Sequence, residues 1–288
     1  MRWIFIGDRG LRAGWRFAAY VASVIAIVVM ESILVRALIH VVAPHTHPSS
    51  LVAAPLNETL FLIAILIPTL VAARREGRAL RDFYVSASPR SLGFGALFGI
   101  LLLSAFALLL QAVGVMTIAR GSGVTLAPTL VWTGMFCLVA VVEEIGFRGY
   151  PLRVLARGIG FWPAAIVISV LFGAIHISNS GEGLFAAFAA GLLSLALCAS
   201  VARTGALGWA IGVHAGWDWA ESFLWGARDS GTAIPQSILV STAHGAALLS
   251  GGTAGPEGSI LVLLPLAAIV AGARLLPNRA RANVPLAA

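Results

Sequence analysis

The chain predicts an all-α, polytopic transmembrane helix bundle, and three observations predict it. Of its 288 residues, 59% are hydrophobic and 11% charged, against about 25% charged in an ordinary soluble domain. A soluble chain of this length cannot bury so much apolar surface in one core. The apolar residues run in continuous stretches, many near the ~20 residues a helix needs to cross a bilayer, not in the alternating segments of a barrel. The arginines fall mostly in the gaps between those stretches.

Eight spans follow in order, at about 17–42, 51–73, 92–115, 127–147, 162–178, 183–202, 205–225 and 258–274. The fifth and sixth are short and weakly separated, so seven is the competing count. The first run, Phe17 to Ala43, is preceded by Arg2, Arg9, Arg12 and Arg16. It is too long for a signal-peptide core and lacks a small-residue cleavage site, so it reads as a retained anchor. Alternation of eight helices puts these arginines on one side with Arg74, Arg75, Arg78, Arg81 and Arg90, with Arg153 and Arg157, with Arg203, and with Arg274, Arg279 and Arg281. The other side holds Arg120 and Arg228, while Arg36 and Arg148 fall inside spans. The positive-inside rule then makes both termini cytoplasmic.

Three regions of one membrane domain result. Residues 1–126 are N-terminal spans, with a basic cytoplasmic loop at 74–90 that a solvated segment against anionic headgroups explains. Residues 127–225 hold spans four to seven. Residues 226–288 hold a long outer loop rich in Gly, Ser and Ala, ending Gly251-Gly252-Thr253-Ala254-Gly255-Pro256-Glu257-Gly258, then the last span and a short basic tail.

The formal net charge of +7 does not point to nucleic acid. All 19 basic residues are arginine, spread among loops as topology signals rather than gathered on a polyanion-binding face. Cys137 and Cys198 lie in apolar runs and read as small core hydrophobes. The partners predicted are the lipid bilayer and a membrane protein or peptide substrate.

Inside a membrane the polar residues carry the information, because a charge at a helix centre costs about 2.5–3.5 kcal/mol on insertion scales. Glu31 and Arg36 in span one read as a structural pair, and Glu58 as interfacial. The dense cluster lies further on. Glu143 and Glu144 are adjacent, so about 100° apart on a helix, and cannot share a role. Glu144 and Arg148 are spaced i,i+4 in the favourable order for an ion pair, which commits Glu144 to structure. Glu143 is left without a partner in its own helix and suits a general base. Phe172 and His176 stand one turn apart, as do His214 and Asp218. Three helices thus offer polar groups in a chain poor in charge.

Glu143-Glu144-x-x-Phe147-Arg148-Gly149, then Phe172-x-x-x-His176, then His214-x-x-x-Asp218 together resemble the motif set of the CAAX-protease and bacteriocin-processing family, over roughly residues 127–225. The resemblance implies intramembrane peptide hydrolysis by a glutamate-activated water: Glu143 as base, His176 holding the water, His214 and position 218 stabilising the oxyanion, with Glu144, Arg148 and Phe172 in support. Position 218 is often Asn in the family. Asn donates an N–H to an oxyanion, whereas an ionised Asp repels it. Asp218 is therefore protonated, orients His214, or helps to hold a cation. Two site readings stand: metal-free water activation, which is preferred, or a Zn2+ on Glu143, His176, His214 and Asp218 with an open position for water.

Depth sets one condition. At 1.5 Å per residue, a fifth span starting at Trp162 lifts His176 about 21 Å from the cytoplasmic side. The motifs meet only if helix four runs on to about Leu155, bending at Pro151. Two other functions compete with the protease. One is a non-catalytic relative acting in bacteriocin immunity or assembly, which need not keep all three motifs. The other is a proton-coupled transporter, which should show inverted repeats and broken helices. In a bacterial plasma membrane the substrate is expected to be a leader peptide or membrane protein.

Overall fold

The computed structural model describes residues 6–7, 10–42, 49–121 and 123–278. The arginines used above at positions 2, 9, 279 and 281 lie outside them. Helix dominates: α1 (Ala13–Val42), α2 (Ser50–Glu76), α3 (Pro89–Ala112), α4 (Leu126–Glu143), α5 (Tyr150–Ile159), α6 (Phe161–His176), α7 (Leu184–Thr204), α8 (Gly208–Asp218), the short α9 (Ala247–Ser250) and α10 (Leu263–Leu275). Two antiparallel ladders complete it, β1 (Ile6–Gly7) with β2 (Gly10–Leu11), and β3 (Met116–Arg120) with β4 (Leu239–Ala243).

Helices stand at all eight positions expected, but with different lengths. Among the described residues, five stretches are long and apolar enough to cross a membrane: α1, α2, α3, the continuous run Leu126–Ile159, and α7. Phe161–His176 and Ile260–Leu275 are shorter apolar helices. Large apolar side chains stay exposed around the bundle, among them Leu34, Leu97, Leu130, Ile166 and Phe188. Such a surface needs lipid to cover it, and the chain is an integral membrane protein.

Local chemistry explains the helix ends. Ser88 caps α3 by accepting from the Ser91 N–H, and Pro89 opens the helix where its missing N–H costs nothing. Gly77, at φ 60°, closes α2 in the left-handed region.

The helix that carries His214 is fixed by close approach. Gly95 and Gly99 on α3 face Gly212 and Gly216 on α8, each pair four residues apart. A Cβ on Gly99 would meet the Val213 carbonyl oxygen, and one on Gly216 the Ala96 carbonyl oxygen. Small residues let two backbones touch where lipid supplies no hydrophobic drive between helices. Trp209, Val213 and Trp217 on α8 then join Leu103, Phe106 and Leu110 of α3 in the main core cluster.

Some expectations need correction. The loop 74–90 is more than a solvated segment: Phe83 is fully buried and its ring meets Tyr150 edge-on. Within it, Glu76 ties α1, α2 and α5 together, pairing with Arg157 at 2.5 Å and Arg16 at 3.4 Å and accepting from Tyr150. Glu31 and Arg36 form no ion pair with each other. Cys198 is a core residue, but Cys137 is exposed on the outside of the bundle. The outer loop is ordered by β4, whose pairing partner β3 follows α3.

Candidate active site

The fourth helix meets the depth condition by continuing to Ile159. It does so through a π turn at Glu144–Arg148 and a break at Gly149, not through a kink at Pro151, which sits in the first turn of α5. A second π turn, Trp219–Leu224, extends α8 directly after Asp218. Single π turns recur at functional sites because the extra residue turns a side chain out of helical register. Here one follows Glu143 and the other follows Asp218.

Glu144 and Arg148 are both fully buried and 2.6 Å apart. Arg148 also lies over the Phe172 ring, 4.9 Å from its centroid, and donates toward the Ser194 carbonyl. The expected ion pair is present, and it bridges α4 to α6 and α7. The same oxygen, Glu144 Oε1, lies 3.0 Å from His214 Nδ1. Glu144 therefore does what spacing alone did not reveal: it orients His214.

The other ring nitrogen, His214 Nε2, is 3.6 Å from Glu143 Oε2 and 3.4 Å from Asp218 Oδ2. Both nitrogens face carboxylate oxygens, a setting for a ring that donates from both sides. Glu143 keeps 26% of its side chain exposed, whereas Glu144 keeps none. Glu143 is thus the more accessible of the two carboxylates. Glu58, on α2, is half-buried.

His176 closes the last turn of α6. Its Nδ1 lies 2.7 Å from the Phe172 carbonyl oxygen, which only accepts, so Nδ1 carries a proton. Its ring packs against Phe172, with centroids 4.5 Å apart. Glu182, in the loop that follows, holds Asn179 at 2.9 Å. Burial raises the Glu182 pKa; the neighbouring His176 opposes that, and Glu257 and Glu143 add to it.

The structure gathers Glu143, Glu144, Arg148, His214 and Asp218 directly, and reaches Phe172 and His176 through Arg148. It does not draw Glu143, His176, His214 and Asp218 into a metal-ligand set. Among the described residues, the group of three or more His, Cys, Asp or Glu whose ligand atoms all lie within 4.8 Å is Glu221, Asp229 and Glu257.

That second cluster was missed from sequence. Glu221 falls in the second π turn, Asp229 in the outer loop, and Glu257 in a turn at Pro256–Gly258. The available signal was cost: Glu221 stands in span seven and is as expensive there as Glu143 in span four. Asp229, beyond the helix, is held well above the ordinary carboxylate range by burial first, then by Asp218 and Glu257.

The family described as type II CAAX prenyl endopeptidase, Rce1-like, matches residues 125–220. The match begins just before α4 and ends inside the second π turn, enclosing every residue of the three motifs. No curated protein sequence matches the chain.

Proposed function

We propose that this chain, whose residues 125–220 identify it with the Rce1-like CAAX endopeptidases, is an intramembrane endopeptidase that cleaves a membrane-associated or leader-bearing substrate with a water activated by Glu143. One observation carries the reading. Glu143 and Glu144 are neighbours in sequence but hold opposite nitrogens of one histidine, the first partly open and the second sealed against Arg148.

Chemistry follows from those positions. Glu143 takes a proton from water, whose oxygen attacks the scissile carbonyl carbon. His176 Nε2 accepts the water's other hydrogen and aims it. The carbonyl oxygen, now negative, accepts from His214 Nε2–H. Glu143 then returns its proton to the departing amine as the C–N bond breaks. Asp218, 3.4 Å from Nε2, is best read as a positioning residue that holds the imidazole.

The zinc reading fits less well. Among the described residues, Glu143, His176, His214 and Asp218 do not form a set of three or more ligand atoms all within 4.8 Å of one another. No step here runs through a metal. The intact motifs and the family match support an enzyme over an idle relative. The eight-span topology with both termini cytoplasmic, in a bacterial plasma membrane, belongs to the same proposal, and a reporter fusion placing the C-terminus outside overturns it.

The test is a proteomic comparison of cells carrying wild type and Glu143→Ala, scored for uncleaved membrane or leader peptides. Cleavage of a confirmed substrate is then measured with purified protein. Full cleavage by Glu143→Ala, His176→Ala and His214→Ala overturns the assignment. Stoichiometric zinc that leaves washed protein together with its activity overturns the metal-free mechanism.

A further inference from the structure

The cluster Glu221, Asp229 and Glu257 lies outside the proposed chemistry and beyond the family match by sequence position. Glu221 is fully buried and Glu257 is 7% exposed. Asp229 is half-buried, with its carboxyl turned to the other two. Among the described residues, no arginine or histidine forms an ion pair with any of the three. Arg228, next in the chain to Asp229, donates instead to the Gly231 carbonyl.

The neutral donors nearby are already used, and on the wrong groups to help Glu221. The Trp217 indole N–H donates to Glu257 Oε1 at 2.9 Å, and Ser230 Oγ to Glu257 Oε2 at 3.1 Å. Ser222 Oγ donates to Asp229 Oδ2 at 3.4 Å. Both oxygens of Glu221 are buried without a hydrogen bond. A buried carboxylate with neither donor nor counter-charge is costly, and this one points into two others.

We propose that Glu221, Asp229 and Glu257 form a binding site for a divalent cation of the oxygen-preferring class, which fastens the outer loop onto the end of α8. The donor set decides the class. It offers carboxylate oxygens without sulfur or imidazole, which suits Ca2+, Mg2+ or Mn2+ over Zn2+ or copper. The ligand atoms lie within 4.8 Å of one another, close enough for one ion to reach all three carboxylates. Two of the three ligands come from loop segments, a flexibility that Ca2+ tolerates and Mg2+ does not.

Loop geometry supports the fastening role. The segment carrying Asp229 and the segment carrying Glu257 are held together by Gly231 N–H donating to the Ala254 carbonyl at 2.9 Å. Gly255, at φ 103°, brings its backbone so close to Arg228 that a Cβ would strike the Arg228 carbonyl oxygen. The two loops and the π turn thus meet around one point, and a cation there joins the end of α8 and the residues just after it to the distant turn at Glu257. Asp218 stands one turn before Glu221, so the fastened loop borders the His214 site.

The experiment uses the full-length protein in detergent, stripped of metal and titrated separately with Ca2+, Mg2+ and Mn2+, with melting temperature and bound metal after desalting as readouts. Wild type should rise by about 5–10 °C at a cation concentration ~100-fold above Kd, with Ca2+ the most effective and one ion retained per chain. Glu221→Gln should lose that rise while melting, without metal, at or above the stripped wild type. Asp229→Asn, at the more open edge, serves as the second variant if Glu221→Gln does not fold, with at least a tenfold weaker Kd expected. A wild type insensitive to all three ions overturns the proposal, as does a rise that persists in both variants. These readouts do not involve cleavage, so failure here leaves the protease reading to its own test.

Discussion

Two groups of buried carboxylates sit within a few turns of each other, and they handle their charge in opposite ways. Around His214, Glu144 has Arg148 at 2.6 Å and the imidazole at 3.0 Å, while Glu143 and Asp218 share the far side of the same ring. Around Glu221 the three acids have Trp217, Ser222 and Ser230 as donors and no ion-pairing arginine or histidine among the described residues. The first group carries its cations in the chain. The second has the composition of a site whose cation comes from solution. Burial in the same bundle therefore goes with internal charge compensation in one place and with uncompensated carboxylates in the other, as the proposed catalytic and ion-binding roles require.

The comparison can be broken most severely at Glu143. Glu143→Gln should lower kcat/KM on a confirmed substrate by about 10²–10⁴, the usual worth of a general base, with little change in melting temperature because the side chain is partly exposed. Activity within a factor of two of wild type would remove Glu143 from the chemistry and leave both groups merely structural.

Arg148→Ala tests compensation itself. Removing one partner of a buried pair typically costs about 3–5 kcal/mol, because the other charge stays behind. Thermal or denaturant unfolding in detergent should show that loss for Arg148→Ala and not for Glu221→Gln. Comparable losses in the two variants would erase the distinction drawn here. Glu144→Gln should lower stability less than Arg148→Ala but also reduce turnover, since its neutral amide oxygen holds His214 Nδ1–H less strongly than the carboxylate does; a variant with full activity would deny Glu144 its orienting role.

Gly99→Leu asks whether the position of α8 matters to both groups. The added side chain meets the Val213 backbone, and overpacking of this kind costs about 1–3 kcal/mol. Since His214 and Glu221 ride on the same helix and its extension, cleavage and the cation-dependent melting shift should fall together. A loss of one alone would separate the two sites mechanically.

The smallest effect is expected at Glu182, whose carboxyl pKa is raised by burial above its ordinary 4.5, against the influence of His176. A carboxyl raised in the folded state favours folding while it is protonated. That contribution is full below the unfolded pKa and is lost as pH rises through the folded one. Glu182→Gln should flatten this part of the stability profile in metal-free buffer. An unchanged slope above pH 4.5 would place Glu182 in solvent.

The sequence determined the solvent by itself and marked the residues of the candidate site. Apolar runs and the cost of charge in lipid marked a helical membrane protein, and the same cost marked Glu143, His176, His214 and Asp218. Spacing was enough for the Glu144–Arg148 pair, because i,i+4 contact is a property of one helix. What lay beyond reach were the contacts between elements. Continuation of helix four was anticipated, but the π turn that carries it replaces the expected Pro151 kink and is a backbone choice made by packing. Glu144 meeting His214 depends on how closely α8 is pressed onto α3 by Gly95, Gly99, Gly212 and Gly216. Glu221, Asp229 and Glu257 come from a helix end and two turns of the outer loop, separated along the chain by residues that carry no common period. Local interactions repeat with the helix and can be read from sequence, whereas a site built from a helix end and a distant turn exists only once the loop has closed over the bundle.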